Sequence, residues 1–400
     1  MIPGDNSTAE NSQKGVAMGG RILILGAGFG GLEAATRLRA ALDESYEITI
    51  VDRNDFFNFG FTKFDLMFGR RAPEDCKESL SALEDQGIRF LQATIESIDP
   101  EGKQVVTSEG SLAADHLVVA LGADIAPEET PGFLESGGHH FYSFAAAEWL
   151  WPLIDEFQSG QILIAIFDKP YKCPPAPYEA AFQLDDFYRD RGIRQDVGID
   201  ILIPGPIPLP ISETVSAGIE KLLTEKKIGL HKKHKVAEVD YRAKQAVVAN
   251  GTRFPYDLFL GVPIHRPPAV VLDSQLGEQG WIRVDPATMR TSFDGVWAMG
   301  DVVQIPIGEY AVPKAGAFAE DAAATVAADI LRSIHGQGEV GPFQAQGACY
   351  FEFGEGKVAQ IAANFLGGPT PDLALEGPTL EFRADKEEFE RSRIEKWFGK

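Results

Sequence analysis

Three glycines near the start of the chain, Gly26, Gly28 and Gly31, have the spacing of a dinucleotide-binding turn. Asp52 lies 21 residues after Gly31, at the end of a second apolar run. In such a turn the first glycine permits the tight bend, the second lets a pyrophosphate approach the backbone, and the third lets helix and strand pack closely. The N–H groups of the following helix favour the phosphates, and the carboxylate accepts the ribose hydroxyls. The spacing therefore predicts a bound dinucleotide, FAD or NAD rather than NADP.

Buried strands and helices flank this turn and position it. The apolar run 21–25 predicts a strand buried on both faces of a parallel sheet, the Ala- and Leu-rich stretch 32–42 predicts a helix, and 47–52 predicts a second strand. This strand–turn–helix–strand unit is the context that dinucleotide binding requires. Further strands are predicted at 117–122, 161–166, 199–203 and 295–299, and helices at 177–191, 212–226, 314–334 and 385–398. The alternation of strands and helices predicts an α/β fold.

A second motif lies near the far end of the chain, at Ala298-Met299-Gly300-Asp301. It resembles the second fingerprint of the two-dinucleotide-domain flavoproteins, in which an aspartate at a strand end holds the ribityl chain and phosphate of FAD. The segment Lys314-Ala315-Gly316 then opens a helix whose N-terminal dipole would stabilise negative charge on the reduced flavin. The resemblance implies FAD as the cofactor and adds these residues to its site: Arg53, Thr94, Ala120, Gly122, Gly300, Asp301, Lys314 and Ala315. Arg53 and Thr94 equally fit ordinary surface positions.

The middle of the chain departs from that flavoprotein pattern. A glutathione-reductase-like enzyme has a second Gly-x-Gly-x-x-Gly turn, for NAD(P)H, after the strand that corresponds to 161–166. This chain instead has Pro170, Pro174 and Pro175 among bulky side chains at that point. Prolines remove backbone N–H donors, and bulky side chains fill the space that a pyrophosphate would need. A tight nicotinamide site is therefore not expected here.

Two cysteines have sequence contexts that resemble a redox pair. The segment 173–182, which begins Cys173-Pro174-Pro175, is similar to the segment around a redox cysteine in sulfide:quinone oxidoreductases and in the flavoprotein subunit of flavocytochrome c sulfide dehydrogenase. Cys349, in the segment 347–351, resembles the second redox cysteine of that family. The resemblance covers nearly the whole chain, and its specificity lies in these two contexts. Taken alone, either cysteine is equally typical of a small buried apolar residue.

The resemblance implies a role for each of these sulfur atoms. The two cysteines would form a disulfide or a sulfur-bridged pair beside the flavin, with Cys349 facing the flavin and Cys173 as its partner. Attack by sulfide would leave a persulfide and a thiolate, and the flavin-facing thiolate would pass two electrons to the isoalloxazine. Glu179 matches a family glutamate proposed to carry a proton, although a surface acid on a helical turn also fits. Cys76 matches no redox position and is expected to be structural.

Three features differ from the family pattern. No cysteine lies in 55–60, where the flavocytochrome subunit tethers its FAD, so FAD is expected to be non-covalent. The first twenty residues lack the basic and apolar regions of a secretory signal, which favours the cytoplasm and does not suit a periplasmic cytochrome partner. The final helix has four apolar residues, for which packing onto the body is favoured over contact with a membrane or quinone: Phe389, Ile394, Trp397 and Phe398.

Composition and charge exclude several function classes. Lys and Arg total 37 against 59 Asp and Glu, and the formal charge of −22 would repel nucleic acid. The longest apolar stretches, such as 162–167, are far shorter than the ~20 residues that cross a bilayer. Three cysteines exclude a disulfide-rich secreted scaffold, and the seven histidines show no metal-ligand spacing. His265 follows a predicted strand and could approach the flavin, but an ordinary structural role is favoured for it.

Together these patterns predict an α/β protein with two Rossmann-like, glutathione-reductase-like domains and a small C-terminal α+β domain. The predicted FAD domain is discontinuous, at 21–125 and 286–335, and follows a disordered tail at 1–20. The second domain, at 126–285, contains Cys173 and a degenerate NAD site. The C-terminal domain, at 336–400, contains Cys349.

The predicted function is FAD-dependent oxidation of sulfide or a related small sulfur species, with a quinone or another acceptor receiving the electrons. Peripheral contact with a membrane and assembly into a homo-oligomer are both compatible with the sequence. Two alternatives remain open. The first is an NADH-dependent flavin dehydrogenase of the same fold, and the second is a non-catalytic flavin-binding protein whose cysteines are structural.

Overall fold

The structure, a computed structural model, describes residues 19–277 and 280–400. Residues 1–18, most of the predicted tail, lie outside the described residues. The α-helices, α1 to α8 in chain order, are Phe29–Ala41, Thr62–Met67, Phe144–Glu156, Ala176–Asp190, Glu213–Glu225, Ala269–Leu272, Gly316–His335 and Glu381–Phe398. Short 3₁₀ helices lie at Pro73–Cys76, Leu80–Gln86, Pro127–Glu129, Arg194–Asp196, Gln275–Gly277 and Gly300–Val302. Within the described ranges, no helix combines the length and the apolar content needed to span a bilayer.

The strands assemble into two parallel sheets and several small antiparallel ones. Strands β1 to β24, in chain order, are Gly20–Leu25, Tyr46–Asp52, Phe56–Phe57, Glu78–Ser79, Arg89–Gln92, Ile95–Asp99, Gln104–Thr107, Gly110–Ala113, His116–Val119, Asp124–Ala126, Gly160–Ile166, Val197–Ile203, Gly229–Lys232, Val236–Asp240, Gln245–Val248, Arg253–Pro255, Leu258–Val262, Ile264–Arg266, Val296–Ala298, Pro306–Ile307, Tyr310–Ala311, Gln346–Gly354, Lys357–Asn364 and Asp372–Thr379. The two parallel sheets confirm the predicted α/β fold with Rossmann-like halves.

The first parallel sheet has the strand order β19-β9-β1-β2-β5. Its central strand β1 is buried from Ile22 to Leu25 because both faces of the sheet are covered. In β1, Ile22 and Ile24 pack in the cluster formed with α1 and α7, whereas Leu23 and Leu25 pack in the cluster on the opposite face. Since all the strands run in one direction, β1, β2, β9 and β19 end at the same edge of the sheet.

The second parallel sheet has the strand order β13-β12-β11-β17. Ile162, Ile164 and Ile166 of β11 pack with α4 and α5 on one face, and the opposite face is covered by the three-stranded antiparallel sheet β14-β15-β16. The chain leaves β11 at its carboxyl end and reaches α4 through the segment 167–175. Cys173 therefore lies at the carboxyl edge of the second sheet, at the start of α4.

The C-terminal strands form an antiparallel sheet, β22-β23-β24. Strand β22 packs against both α4, which follows the second parallel sheet, and α7, which covers the first. Cys349 lies on β22, and this packing brings it to the junction between the two helices. The residue boundaries of the three predicted domains remain predictions.

Three helices begin more than one residue away from the predicted start. Helix α1 begins at Phe29 and not at 32, because Gly30 and Gly31 join its first turn. Helix α7 begins at Gly316 and not at 314, because Lys314 pairs with Lys172 in an isolated parallel bridge. Helix α8 begins at Glu381, one turn before the predicted start.

The C-terminal helix α8 is anchored to the body by a buried carboxylate. Trp397 and Phe398 are buried in the same apolar cluster as α1. Glu33 of α1 is fully buried and accepts hydrogen bonds from Trp397 Nε1 at 2.8 Å and from the ammonium of Lys396. Burial alone would raise the pKa of Glu33, but these donors and Arg37 lower it. The helix packs onto the body, as the sequence favoured.

Replacing Glu33 with glutamine should weaken this anchor. Glutamine keeps an acceptor for Trp397 but removes the charge that meets Lys396 and Arg37, so the free energy of unfolding should fall by about 1–3 kcal/mol. Because the folded state lowers the pKa of Glu33, its contribution is present above the unfolded-state pKa. That contribution is lost as the pH falls through the folded-state pKa. Urea denaturation of the two proteins at several pH values measures both effects.

Glu388→Gln is the matched control for this variant. Glu388 lies on the same helix, pairs with Arg391, and has a side chain that is 56% exposed. The free energy of unfolding should change by less than about 0.5 kcal/mol in this control. Equal destabilisation by Glu33→Gln and Glu388→Gln would contradict the anchoring role of Glu33.

Candidate active site

The glycine turn after β1 has the shape that a pyrophosphate needs. Gly26 has a φ of +103°, and a Cβ there would lie 2.4 Å from the carbonyl oxygen of Ala120. A Cβ at Gly31 would lie 1.9 Å from the carbonyl oxygen of Gly26. Only glycine at position 31 therefore allows α1 to pack this close to the turn after β1. At Gly28 a Cβ would meet nothing within 4 Å, and no side chain caps the N-terminus of α1. This open backbone with uncapped N–H groups fits an anionic diphosphate.

Asp52, at the end of β2, lies beside the same turn. Its Oδ2 accepts the N–H of Ala27 at 2.9 Å, and its Oδ1 accepts the N–H of Asn54 at 2.9 Å. Ala120 and Gly122 follow β9, the other neighbour of β1. Because the carboxyl ends of parallel strands meet at one edge, the structure brings these predicted cofactor residues together.

Gly300 and Asp301 reach the same edge from β19. Burial raises the pKa of Asp301, while Lys314 and Lys172 act to lower it. The ammonium of Lys314 donates to the carbonyl oxygens of Asp301 and Val303 and lies 3.4 Å from the ring centroid of Trp281. Lys314 is thus bound internally, and Ala315 follows it as the N-cap of α7.

Arg53 and Thr94 are exposed near this edge. An Arg53 nitrogen lies 3.7 Å from the carboxylate of Asp124, and the N–H of Thr94 donates to Ser108 Oγ at 3.1 Å. These hydrogen bonds and ion pairs are compatible with both interpretations of Arg53 and Thr94 that the sequence allows. The two residues could bind adenosine, or they could be ordinary surface residues.

A cavity of about 190 Å³ lies where α2, α4, β22 and the N-terminus of α7 meet. Its lining brings together three residues predicted to be catalytic, Cys173, Cys349 and Glu179. Ala315, predicted to adjoin the flavin, lies in the same wall. The rest of the wall is largely aromatic, with Phe29, Phe59, Phe61, Phe64, Phe141 and Phe389. Reactive groups from distant parts of the sequence thus share one mostly apolar cavity.

Cys173 is held in a strained backbone conformation. Its φ of +49° lies in the left-handed region, which residues with a Cβ rarely adopt. Its N–H donates to the carbonyl oxygen of Lys314 at 2.7 Å, and its carbonyl accepts an N–H of the first turn of α4 at 2.9 Å. Burial raises the pKa of the Cys173 thiol well above its ordinary value. The neighbouring Cys349 and Glu179 raise it further, whereas Lys63 lowers it.

Cys349 approaches the cavity from β22, where it is paired with Ile361 of β23. Burial raises the pKa of its thiol to about 12, and the nearby Glu179 adds to this increase. Cys173 and Cys349 are both free thiols. Cys76 is buried in a separate small apolar cluster with side chains of α2 and α3. The two sulfurs predicted to react therefore share a cavity, and the third cysteine lies outside it.

Glu179 lies in the first turn of α4 and is buried. Its Oε1 accepts the N–H of Glu352 at 3.0 Å and the side-chain N–H of Gln183 at 3.1 Å. Burial raises its pKa to about 7, although Lys386 acts in the opposite direction. A carboxyl group that titrates near neutral pH can both accept and release a proton under working conditions.

Lys63 and Tyr142 are among the polar side chains of the cavity that were missed from the sequence. Lys63 lies in the first turn of α2, and Tyr142 directly precedes the N-cap of α3. Neither belongs to a motif, so only a polar residue within an aromatic run, as in Phe61-Thr62-Lys63-Phe64, could have drawn attention to Lys63. Their position in the cavity depends on tertiary packing that no local pattern encodes.

His265 lies beside this region but has structural contacts. Its Nδ1 is 2.8 Å from the carbonyl oxygen of Pro263, and its ring packs edge-on against Tyr142 with centroids 5.0 Å apart. Burial lowers its pKa to about 3, which keeps the ring neutral. The structural role favoured from the sequence fits these contacts. Among the residues that the structure describes, no group of His, Cys, Asp and Glu could hold a metal ion.

Comparison with known proteins identifies the family. Residues 20–150 and 193–323, more than half of the chain, match the pyridine nucleotide-disulphide oxidoreductase family. The mitochondrial sulfide:quinone oxidoreductase of Dictyostelium discoideum is 26% identical over 305 residues, which span 73% of this chain and 67% of the relative. A type II NADH:quinone oxidoreductase of Staphylococcus aureus is 35% identical over 104 residues, or 26% of each chain.

Solved structures agree with this result. The sulfide:quinone oxidoreductase of the hyperthermophilic bacterium Aquifex aeolicus matches with a TM-score of 0.82 at 21% identity, over 94% of this chain and 92% of that one. The predicted fold and the predicted enzyme class are confirmed, and so is the suspected resemblance to sulfide:quinone oxidoreductases. The chain belongs to the pyridine nucleotide-disulphide oxidoreductase family and is an FAD-dependent oxidoreductase.

Proposed function

We propose that this enzyme oxidises sulfide, or a related small sulfur species, through Cys173 and Cys349 and passes the electrons by way of FAD to a quinone. The observation that supports this most strongly is the cavity, in which two free thiols, a buried carboxyl group and the N-terminus of α7 meet. The relatives from D. discoideum and A. aeolicus are named sulfide:quinone oxidoreductases, which supports the same donor and acceptor here.

The proposed FAD site is the carboxyl edge of the first sheet. Gly28 and the uncapped N-terminus of α1 would hold the pyrophosphate, Asp52 the ribose hydroxyls, and Asp301 the ribityl chain. When bound, FAD accepts two electrons at a time, which is the number that two thiols release on becoming a disulfide. No cysteine lies in 55–60, so the cofactor is proposed to be non-covalent.

The sulfur chemistry requires the two cysteines to be joined as a disulfide before substrate enters. Hydrosulfide then attacks the sulfur of Cys173, so that a new S–S bond forms there and the bond to Cys349 breaks. The electron pair of the broken bond leaves Cys349 as a thiolate, and Cys173 holds a persulfide. One negative charge is present before and after the step. Because burial raises the pKa of Cys349 to about 12, this thiolate depends on stabilisation by the dipole of α7.

Aromatic side chains offer a site for the proposed quinone. Phe59, Phe61, Tyr350 and Phe389 line the cavity, with centroids of neighbouring rings between 5.3 and 6.4 Å apart. A quinone head is flat and largely apolar, so it packs well against such rings. This wall supports a quinone over a polar protein acceptor.

NADH is the competing electron donor, because part of the chain is similar to a type II NADH:quinone oxidoreductase. The turn after β11 offers little room for a second dinucleotide. Tyr171 is buried in it and its hydroxyl donates to the carbonyl oxygen of Pro174 at 3.3 Å. Side chains and prolines thus occupy the turn that a nicotinamide dinucleotide would use. We therefore propose sulfide as the donor.

Anaerobic mixing of the FAD-containing protein with sulfide should bleach the flavin absorbance, and mixing with NADH should not. Cys173→Ser and Cys349→Ser should each slow the bleaching by at least about 100-fold and leave FAD bound, because each removes one sulfur from the exchange. Cys76→Ala is the control and should keep the wild-type rate, since Cys76 lies in a separate cluster. Wild-type rates in both serine variants, or faster bleaching by NADH than by sulfide, would refute the proposal.

Glu179→Gln should change the pH dependence of this reaction. Burial raises the pKa of Glu179 to about 7, so the side chain accepts a proton from incoming H₂S only above that pH. The wild-type bleaching rate should therefore rise as the pH increases through about 7. Glutamine cannot titrate, and we expect a rate about 10–100-fold lower without this rise. A rise that persists unchanged in the variant would come from ionisation of sulfide itself and would contradict the role of Glu179.

Gly28→Ala tests the proposed cofactor site. A Cβ at this position meets no protein atom within 4 Å, so the variant should fold normally. The added methyl group would occupy the space proposed for the pyrophosphate, and we expect FAD affinity to fall at least about tenfold, which corresponds to ~1.4 kcal/mol. Gly341→Ala is the control, because a Cβ there is equally unobstructed. Flavin content after dialysis measures the effect, and equal retention of FAD by both variants would contradict the site.

A further inference from the structure

Two hydrogen-bond donors in the cavity have no partner within the protein. The ammonium of Lys63 forms no hydrogen bond or ion pair with any residue in the described part of the chain. Lys172, the other lysine of the cavity, donates to the carbonyl oxygen of Ala123 at 3.1 Å. The hydroxyl of Tyr142 is buried and is also without a partner among the described residues, while its ring stacks on Phe141. Both donors are free to bind a molecule that enters the cavity.

Lys63 is half-buried, and an unpaired ammonium in a largely apolar cavity is costly unless an anion meets it. Burial lowers the pKa of Lys63 to about 8, and the charge of Lys172 lowers it further, whereas Cys173 and Asp301 favour the charged form. Lys63 is therefore still charged at neutral pH but is held less favourably than a lysine in water. Binding of an anion beside it would recover the energy that this burial costs.

The proposed substrate needs such a charge. The protein has a formal charge of −22, so its overall field disfavours the entry of hydrosulfide. The cavity wall is largely aromatic and does not itself solvate an anion. Lys63 and Tyr142 line the same cavity as Cys173, whose sulfur is the one that the proposed attack requires.

We propose that Lys63 and Tyr142 together bind the anionic sulfur substrate beside Cys173, Lys63 through its charge and Tyr142 through an O–H···S hydrogen bond. This assignment rests on the proposed function and identifies the groups that hold the hydrosulfide anion after Glu179 has accepted a proton from the incoming H₂S. No covalent bond forms or breaks in the binding step. Burial raises the pKa of the Tyr142 hydroxyl, which keeps it protonated and able to donate.

The sulfide dependence of flavin bleaching in the FAD-containing protein tests the assignment. Lys63→Met removes the charge at similar length, and it should raise the half-saturating sulfide concentration by about 10–100-fold with little change in the limiting rate. Lys63→Arg keeps the charge and should stay within about threefold of the wild type. Tyr142→Phe removes only the hydroxyl and should raise the half-saturating concentration by about 3–10-fold.

Lys169→Met is the matched control. It makes the same change in net charge, and Lys169 follows β11 outside the cavity lining. Its half-saturating sulfide concentration should stay within about twofold of the wild type. Because Lys63 loses its charge as the pH rises through about 8, the half-saturating concentration should rise over that range in the wild type. This rise should be absent in Lys63→Met.

A second measurement needs neither sulfide nor flavin reduction. Iodoacetamide reacts with the thiolate of Cys173, and mass spectrometry of the peptide that contains Cys173 gives the rate in the reduced protein. Loss of the charge at Lys63 should raise the pKa of this thiol and slow its alkylation by at least about fivefold at a fixed pH, whereas Lys169→Met should not. A purely structural role for Lys63 would not produce this difference, and unfolding would instead speed alkylation of all three cysteines.

The two measurements separate this assignment from the proposed function. If sulfide bleaches the wild type and Lys63→Met has an unchanged half-saturating concentration, the assignment is overturned and the proposed function stands. If sulfide does not bleach the wild type, the proposed function fails. Alkylation of Cys173 at the wild-type rate in Lys63→Met overturns the electrostatic link between these two residues, whatever the donor is.

Discussion

A negatively charged sulfur atom is costly to hold in a space walled by aromatic rings, and the proposed site follows from that cost. Burial raises the pKa values of both cavity cysteines, so the isolated cavity favours neutral thiols. Sulfur exchange nevertheless proceeds through anions. The proposed chemistry therefore depends on a few positively charged or positively polarised groups in the wall, which include the N-terminus of α7 and the ammonium groups of Lys63 and Lys172.

The topology of the first sheet places positively polarised helix N-termini at the proposed sites without requiring a special sequence motif at each of them. Helix α1 begins shortly after the carboxyl end of β1, and Gly316, the first residue of α7, lies against Phe29, the first residue of α1, so both N-termini lie at one edge of the sheet. The first is uncapped and has open space at Gly28, as an anionic diphosphate requires. The second lines the cavity with the cysteines. Helix N-termini at one edge of the parallel sheet thus provide positive potential for both the proposed cofactor and the proposed sulfur anion.

This arrangement also explains how much the sequence could predict. The glycine turn, Asp52 and Asp301 were predictable because each follows an apolar run, and parallel strands bring such positions to one edge. The approach of Cys173 and Cys349 was predicted only through resemblance, since it depends on β22 packing against both α4 and α7. Lys63 could not be predicted, because it lies on a six-residue helix without a motif, and its lack of a partner is visible only in three dimensions.

The C-terminal helix α8 connects the proposed FAD site with the aromatic wall of the cavity. Phe29 begins α1 directly after Gly28, lines the cavity, and packs edge-on against Trp397 with ring centroids 5.4 Å apart. One turn further along α1, Glu33 anchors the same tryptophan, while Phe389 of α8 contributes to the aromatic wall. The helix α8 thus contacts both the start of the proposed FAD site and the proposed quinone wall. Its buried carboxylate anchor therefore supports the cavity wall as well as the end of the chain, because Phe389 of α8 packs against Phe59 and Phe61 in that wall.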